Sequence, residues 1–183
     1  MKYYLVALLD EDSYSFVETI QKGLSQKYKL YHDLPTLHIT LEIIGDPDIE
    51  KLSSLINEII KPYKKFRVSV NGVICFDAPH KSVNLKIDEQ GYIIRLAKKI
   101  NTKLAENGFI VRENIDNWDL HISLANTNYA SREWSISEFT AACNSTKEKD
   151  IQTLLKIDRL ELWKPINNKK KMVVKTFPLK SFW

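Results

Sequence analysis

Leu37-His38-Ile39-Thr40-Leu41 returns, 83 residues further on, as Leu120-His121-Ile122-Ser123-Leu124. Side chains alternate between the two faces of a strand, so His38 and Thr40 project to one side while Leu37, Ile39 and Leu41 project to the other. His121 and Ser123 stand in the same relation to Leu120, Ile122 and Leu124. Each pentapeptide therefore reads as a half-buried strand, apolar behind, with an imidazole and a hydroxyl in front. A single His-x-Ser/Thr is a weak signal. Two of them in one apolar frame point to a duplicated unit, and an axis relating the copies would bring the two polar faces together.

Working outward, the same succession of elements surrounds both motifs. Tyr3 to Leu9 is an apolar run of strand length closed by Asp10, Glu11 and Asp12. A helix is expected from Ser13 to about Lys29 with Phe16, Ile20 and Leu24 on its inner face. The motif strand 37–44 follows Pro35 and ends at Gly45-Asp46-Pro47. Asp48 can cap a second helix, with Leu52, Leu55, Ile56 and Ile59 inward, that ends before Pro62. Strands are expected over 66–76, with a bulge or turn at Asn71-Gly72, and over 82–87. The second round reads as a helix from Glu89 to Asn107, the motif strand 120–125, a weaker helix over 135–144, and strands 154–163 and 172–177. The sequence thus predicts an α+β, bilobal fold. Two pseudo-symmetric lobes with antiparallel sheets and flanking helices enclose a cleft. Residues 1–183 form one domain in this reading, with lobe one at about 10–88, lobe two at about 89–183, and strand 3–9 completing the core.

Composition narrows the function classes. Only 5 Gly and 6 Pro occur in 183 residues, which excludes a loop-dominated or collagen-like chain. The net charge is +4, but the excess is local: between Ile151 and Trp183 eight Lys and Arg face only Asp158 and Glu161. That distribution suits a small phosphate-bearing ligand better than a long nucleic acid duplex. Lys169-Lys170-Lys171 reads as a solvated turn. Cys75 and Cys143 are too few for a disulfide framework and are expected as buried, inert thiols. The opening MKYYLVALLDEDSYS has too short an apolar run for a leader, and no stretch reaches membrane-spanning length, so the expected location is the cytoplasm.

Of the four histidines, His38 and His121 carry the chemistry. A neutral imidazole removes a proton and an imidazolium donates one near neutral pH, so two across a cleft form a general base and a general acid. Thr40 and Ser123, one strand repeat away, can hydrogen-bond phosphoryl oxygens held between the rings. The combination suits in-line displacement at phosphorus, where the attacking and leaving oxygens lie on opposite sides. His32 and His80 show no metal-ligand spacing, so neither metal nor cofactor is expected. His80 can lie at the cleft rim. Trp118, Trp163, Phe76 and Tyr129 are candidates for stacking a base.

The paired motifs resemble the signatures of the two-histidine phosphoesterase superfamily, which includes 2′-5′ RNA ligase-like proteins and cyclic nucleotide phosphodiesterases. Residues 35–45, the strands 66–76 and 82–87, and the stretch from Leu160 to Leu179 are similar to that family's motif strands, central strands and closing hairpin. The resemblance implies a metal-independent enzyme that opens 2′,3′-cyclic phosphates of nucleotides or RNA ends. His38 and His121 would be catalytic, and Thr40 and Ser123 would bind phosphate. It also allows RNA 2′-5′ ligation at the same site, and a non-catalytic RNA or nucleotide binder is the reading from another class. The chain departs from the family pattern at Trp118-Asp119 before the second motif, at Trp163-Lys164-Pro165, and near Met172, where a tyrosine is common. The expected partner is a nucleotide or RNA end, with no membrane, and the expected state is a monomer.

Overall fold

The computed structural model describes residues 1–88 and 90–181. The chain runs β1 (Lys2–Leu9), α1 (Glu11–Tyr28), β2 (Ile39–Gly45), α2 (Ile49–Ile60), β3 (Phe66–Phe76), β4 (Ser82–Ile87), α3 (Tyr92–Glu106), β5 (His121–Asn126), α4 (Ile136–Glu148), β6 (Gln152–Trp163) and β7 (Val173–Pro178). Local signals fix most boundaries. Asp10, Asp48 and Ser135 cap α1, α2 and α4 by accepting backbone N–H bonds from Ser13, Lys51 and Glu138. Glu138 returns the bond to Ser135, closing a capping box. The start expected for α3, Glu89, lies outside the described residues.

The seven strands form one antiparallel sheet in the order β1-β2-β5-β4-β3-β6-β7. β6 also pairs with β1, so six of the strands form a closed circuit and β7 extends from β6. The weakest join is the informative one. β2 and β5 meet through a single residue pair, Ile39 with Ile122, which are equivalent positions of the repeated pentapeptide. Antiparallel contact between equivalent residues is what a pseudo-two-fold axis at that point requires. α1 packs on β5 and α3 on β2, each reaching into the other copy. Strand partners interleave in the same way, β4 pairing with β3 and β5 while β1 pairs with β2 and β6. The repeat that fits the pairing is β-α-β-α-β taken twice, β1 to β3 and β4 to β6.

The expected irregularity at Asn71-Gly72 is present: the register of β3 on β4 shifts between Val70 and Val73, and Gly72 takes φ +76°. Two other expectations need correction. The inner face of α1 is Val17, Gln21, Leu24 and Tyr28, while Phe16 is exposed, because the helix packs the neighbouring stripe against β5 and β1. Cys75 and Cys143 are not free thiols but a disulfide joining β3 to α4. Cys75 shares the helix-facing side of β3 with its cross-strand partner Val83, and α4 packs there, which brings residues 68 apart in sequence together.

Candidate active site

Both motif strands carry the same defect. Along β1, Leu5 opposes Glu42 but Val6 opposes Thr40, so Leu41 is left over. Along β4, Val83 opposes Ala125 but Asn84 opposes Ser123, so Leu124 is left over. These two bulges occupy equivalent positions, one residue beyond the motif hydroxyl. Their effect is to bury two consecutive residues, Leu41 with Glu42 and Leu124 with Ala125, while the residues before them keep their alternation. Ile39 and Ile122 point into the core; His38, Thr40, His121 and Ser123 stay half-exposed on the opposite face.

The imidazoles are held identically. Nδ1 of His38 lies 2.7 Å from the Thr36 carbonyl oxygen, and Nδ1 of His121 lies 2.8 Å from that of Asp119, each two residues upstream. A carbonyl only accepts, so Nδ1 must carry the hydrogen, and in the neutral ring Nε2 is left with a free lone pair. Aromatic rings back both histidines: Trp163 lies 4.6 Å from His38 and Phe76 5.2 Å from His121, centroid to centroid. Trp163 and Phe76 end β6 and β3, the third strands of the two repeats. The indole is fixed in turn, its N–H donating to the buried Glu161 carboxylate at 2.8 Å, which also accepts from Arg159 Nε. Burial pushes the pKa of both imidazoles below the ordinary histidine value. The proximity of His121 lowers His38 further, and the Arg112 cation lowers His121 while the Asp119 carboxylate opposes it.

The two halves of the cleft differ in chemistry. Next to His38 and Thr40 lie Val6, Leu8 and Trp163, an apolar cluster with Tyr4, Met172 and Val173 against it. Beside Ser123 stands Asn84, fully buried, and Lys86 pairs with His121 across β4 and β5. Ile87 N–H donates to the Leu120 carbonyl, which makes Lys86 and His121 a non-hydrogen-bonded pair, the kind whose side chains stand closest. The Ser123 hydroxyl is shielded from solvent and has no hydrogen-bond partner.

Sequence candidates meet different fates. His38, Thr40, His121, Ser123, Trp163 and Phe76 come together. Trp118 is near, but one face of its ring is taken by the Arg112 guanidinium at 3.4 Å. His80 is exposed in the β3–β4 connection. Thr36, Asp119, Arg112, Glu161 and Lys86 are not among the site residues expected from the sequence; the equivalent spacing of Thr36 and Asp119 ahead of each histidine is the available signal. Among the described residues, no three His, Cys, Asp or Glu side chains converge on a possible metal position.

Residues 9–172 match the model of the AKAP7 2'5' RNA ligase-like domain. The chain belongs to that family. With it come the two-histidine phosphoesterase superfamily and a phosphoesterase or RNA ligase-like character. Among solved structures, TT0787 of Thermus thermophilus is 17% identical, with TM-score 0.66 over 100% of both chains. E. coli LigT complexed with 3'-AMP is 15% identical, with TM-score 0.64 over 97% of both. Usb1 of Kluyveromyces marxianus is 14% identical, with TM-score 0.51 over 97% of this chain and 98% of that one. At these identities the likeness establishes the fold. No curated protein matches. Among the described residues, no helix is long and apolar enough to cross a membrane.

Proposed function

We propose that the protein is a metal-independent phosphodiesterase that opens 2′,3′-cyclic phosphates at the ends of nucleotides or short RNA. The observation that carries this reading is the matched pair of imidazoles, each with Nδ1–H tied to a backbone carbonyl and Nε2 free, on strands that touch at Ile39 and Ile122. The phosphate sits between the two Nε2 atoms. One neutral imidazole takes a proton from water, whose oxygen attacks phosphorus; the other, protonated, delivers its proton to the departing ribose oxygen, and a phosphomonoester remains. The proximity of His121 lowers His38 further, so the two rings do not favour holding protons together, which suits a division into one base and one acid. Thr40 and Ser123 bind the non-bridging oxygens. The modest charge of the chain and the location of the basic residues after Ile151 favour short, end-bound substrates.

The complex of E. coli LigT with 3'-AMP shows that a protein of this fold accommodates a nucleoside monophosphate. A panel of 2′,3′-cyclic mononucleotides, cyclic-phosphate oligonucleotides and 2′-5′-linked dinucleotides, assayed with EDTA present, tests the reading. Turnover of the cyclic phosphates supports it. Cleavage or joining of 2′-5′ linkages alone would assign the site to the ligase-type reaction, and binding without turnover of any member would make the protein a nucleotide binder.

A further inference from the structure

Glu42 is a fully buried carboxylate on β2, two residues beyond Thr40, and its equivalent in the second copy is Ala125. The bulge at Leu41 turns it away from the cleft. Inside, it accepts from Asn101 Nδ2 at 2.8 Å, from the Arg112 backbone N–H at 3.1 Å, from the Ile43 N–H at 2.9 Å and from Arg112 Nε at 3.4 Å. Arg112 Nη2 donates to the carbonyl of Leu41, the bulged residue itself, at 2.9 Å. The Arg112 guanidinium then lies against the ring of Trp118, whose indole N–H donates to the Glu113 carbonyl. Trp118 directly precedes Asp119, the residue whose carbonyl holds Nδ1 of His121. A cavity of about 390 Å³ beside the segment is lined by Ile94, Lys98, Trp118, Asp119 and Leu120.

We propose that Glu42 and Arg112 are positioning residues for the second histidine: anchored on the bulge of the first motif strand, Arg112 clamps Trp118 and thereby sets the Asp119 carbonyl that orients His121. The clamp couples the two halves of the cleft at a point where the sheet itself joins them through one residue pair. It exists on one side of the pseudo-axis only, so the two imidazoles, alike in their first contacts, differ in electrostatic setting. The inference rests on the reading of His121 as an acid or base of the reaction. The groups that face His121 are Asp119 on its own segment, Arg112 on the preceding loop, Lys86 on β4 and His38 on the approach to β2; Phe76 on β3 is uncharged.

The test follows the His121 imidazole by NMR titration of the ligand-free protein, alongside kcat and KM for a 2′,3′-cyclic mononucleotide. Arg112→Gln removes a cation near the ring, so the His121 midpoint should rise. Glu42→Gln leaves that cation uncompensated, so the midpoint should fall, and the double variant should lie between the two. Those opposite signs report the charges beside the ring; the clamp itself is read from Trp118→Leu, in which a displaced Asp119 carbonyl loses its hold on Nδ1 and the His121 midpoint should fall. Trp118→Leu keeps the Glu42–Arg112 pair and releases the segment, so kcat should drop by about 10- to 100-fold with KM little changed. Midpoints that stay fixed or move in one direction, or a Trp118→Leu enzyme with unchanged kcat, would overturn the proposal. A lowered His121 midpoint in Trp118→Leu, in a protein that turns over no cyclic phosphate, would uphold the clamp and sink the enzymatic reading instead.

Discussion

Removing the Ser123 hydroxyl should move stability and activity in opposite directions. Ser123 Oγ is shielded from solvent and unpartnered, next to a fully buried Asn84 whose Oδ1 is unpartnered as well. A buried hydroxyl without a hydrogen bond costs about 1–3 kcal/mol relative to one in water. Ser123→Ala discards that group and leaves a void no larger than one oxygen, so the variant should be as stable as the parent or gain up to about 1 kcal/mol, a rise of roughly 2–4 °C in Tm for a chain of this size. Yet if the hydroxyl meets a phosphoryl oxygen in the reaction, its loss removes one charge-assisted hydrogen bond, worth about 1.5–3 kcal/mol, or roughly 10- to 150-fold in kcat/KM. Urea and thermal unfolding of both proteins, run beside turnover of a 2′,3′-cyclic mononucleotide, give the two numbers. A Ser123→Ala protein destabilised by more than about 1 kcal/mol with full activity would refute the reasoning, because the hydroxyl would then be holding the fold rather than waiting for a ligand.

Other expectations follow from the same geometry. Trp163→Leu should lower kcat with little change in KM, since the indole backs His38 and is tied to Glu161; a rise in KM alone would return Trp163 to the base-stacking role suggested by sequence. The depressed pKa values of His38 and His121 fix a sign for acid sensitivity. The unfolded chain binds protons at these rings near pH 6.5 and the folded chain only at lower pH, so their contribution to stability is complete above about pH 6.5 and is lost as pH falls toward the folded values. Urea midpoints measured at pH 7.5 and pH 5 should therefore converge in His38→Gln relative to the parent, and an unchanged gap would contradict the assigned shift.

Much of the fold was legible because the repeat is written in local chemistry. The pentapeptide frame, the cap at Asp48 and the Asn71-Gly72 irregularity all act within a few residues of where they are read. What escaped depends on contacts between distant segments. Strict alternation would put Glu42 and Ala125 on the cleft face beside the histidines; the bulges at Leu41 and Leu124 invert them, and the only hint was an Ala standing where its copy has a Glu. The Cys75–Cys143 pairing needs α4 placed against β3, which no spacing encodes. Nothing in the residues around Arg112 marks it, because its role depends on Glu42, buried beneath it and 70 residues away in sequence. The aromatic candidates were half legible: their place near the site could be guessed, but not that Trp163 and Phe76 spend a face on the histidines themselves.

The central claim is that His38 and His121 together do the proton chemistry of phosphodiester cleavage without a metal. The most direct measurement is turnover of a 2′,3′-cyclic mononucleotide, in excess EDTA, by the parent protein, His38→Ala and His121→Ala, with circular dichroism confirming the fold of each. The parent should turn over the substrate, and each variant should lose about 10²- to 10⁴-fold in kcat. Full activity in either folded variant would contradict the account.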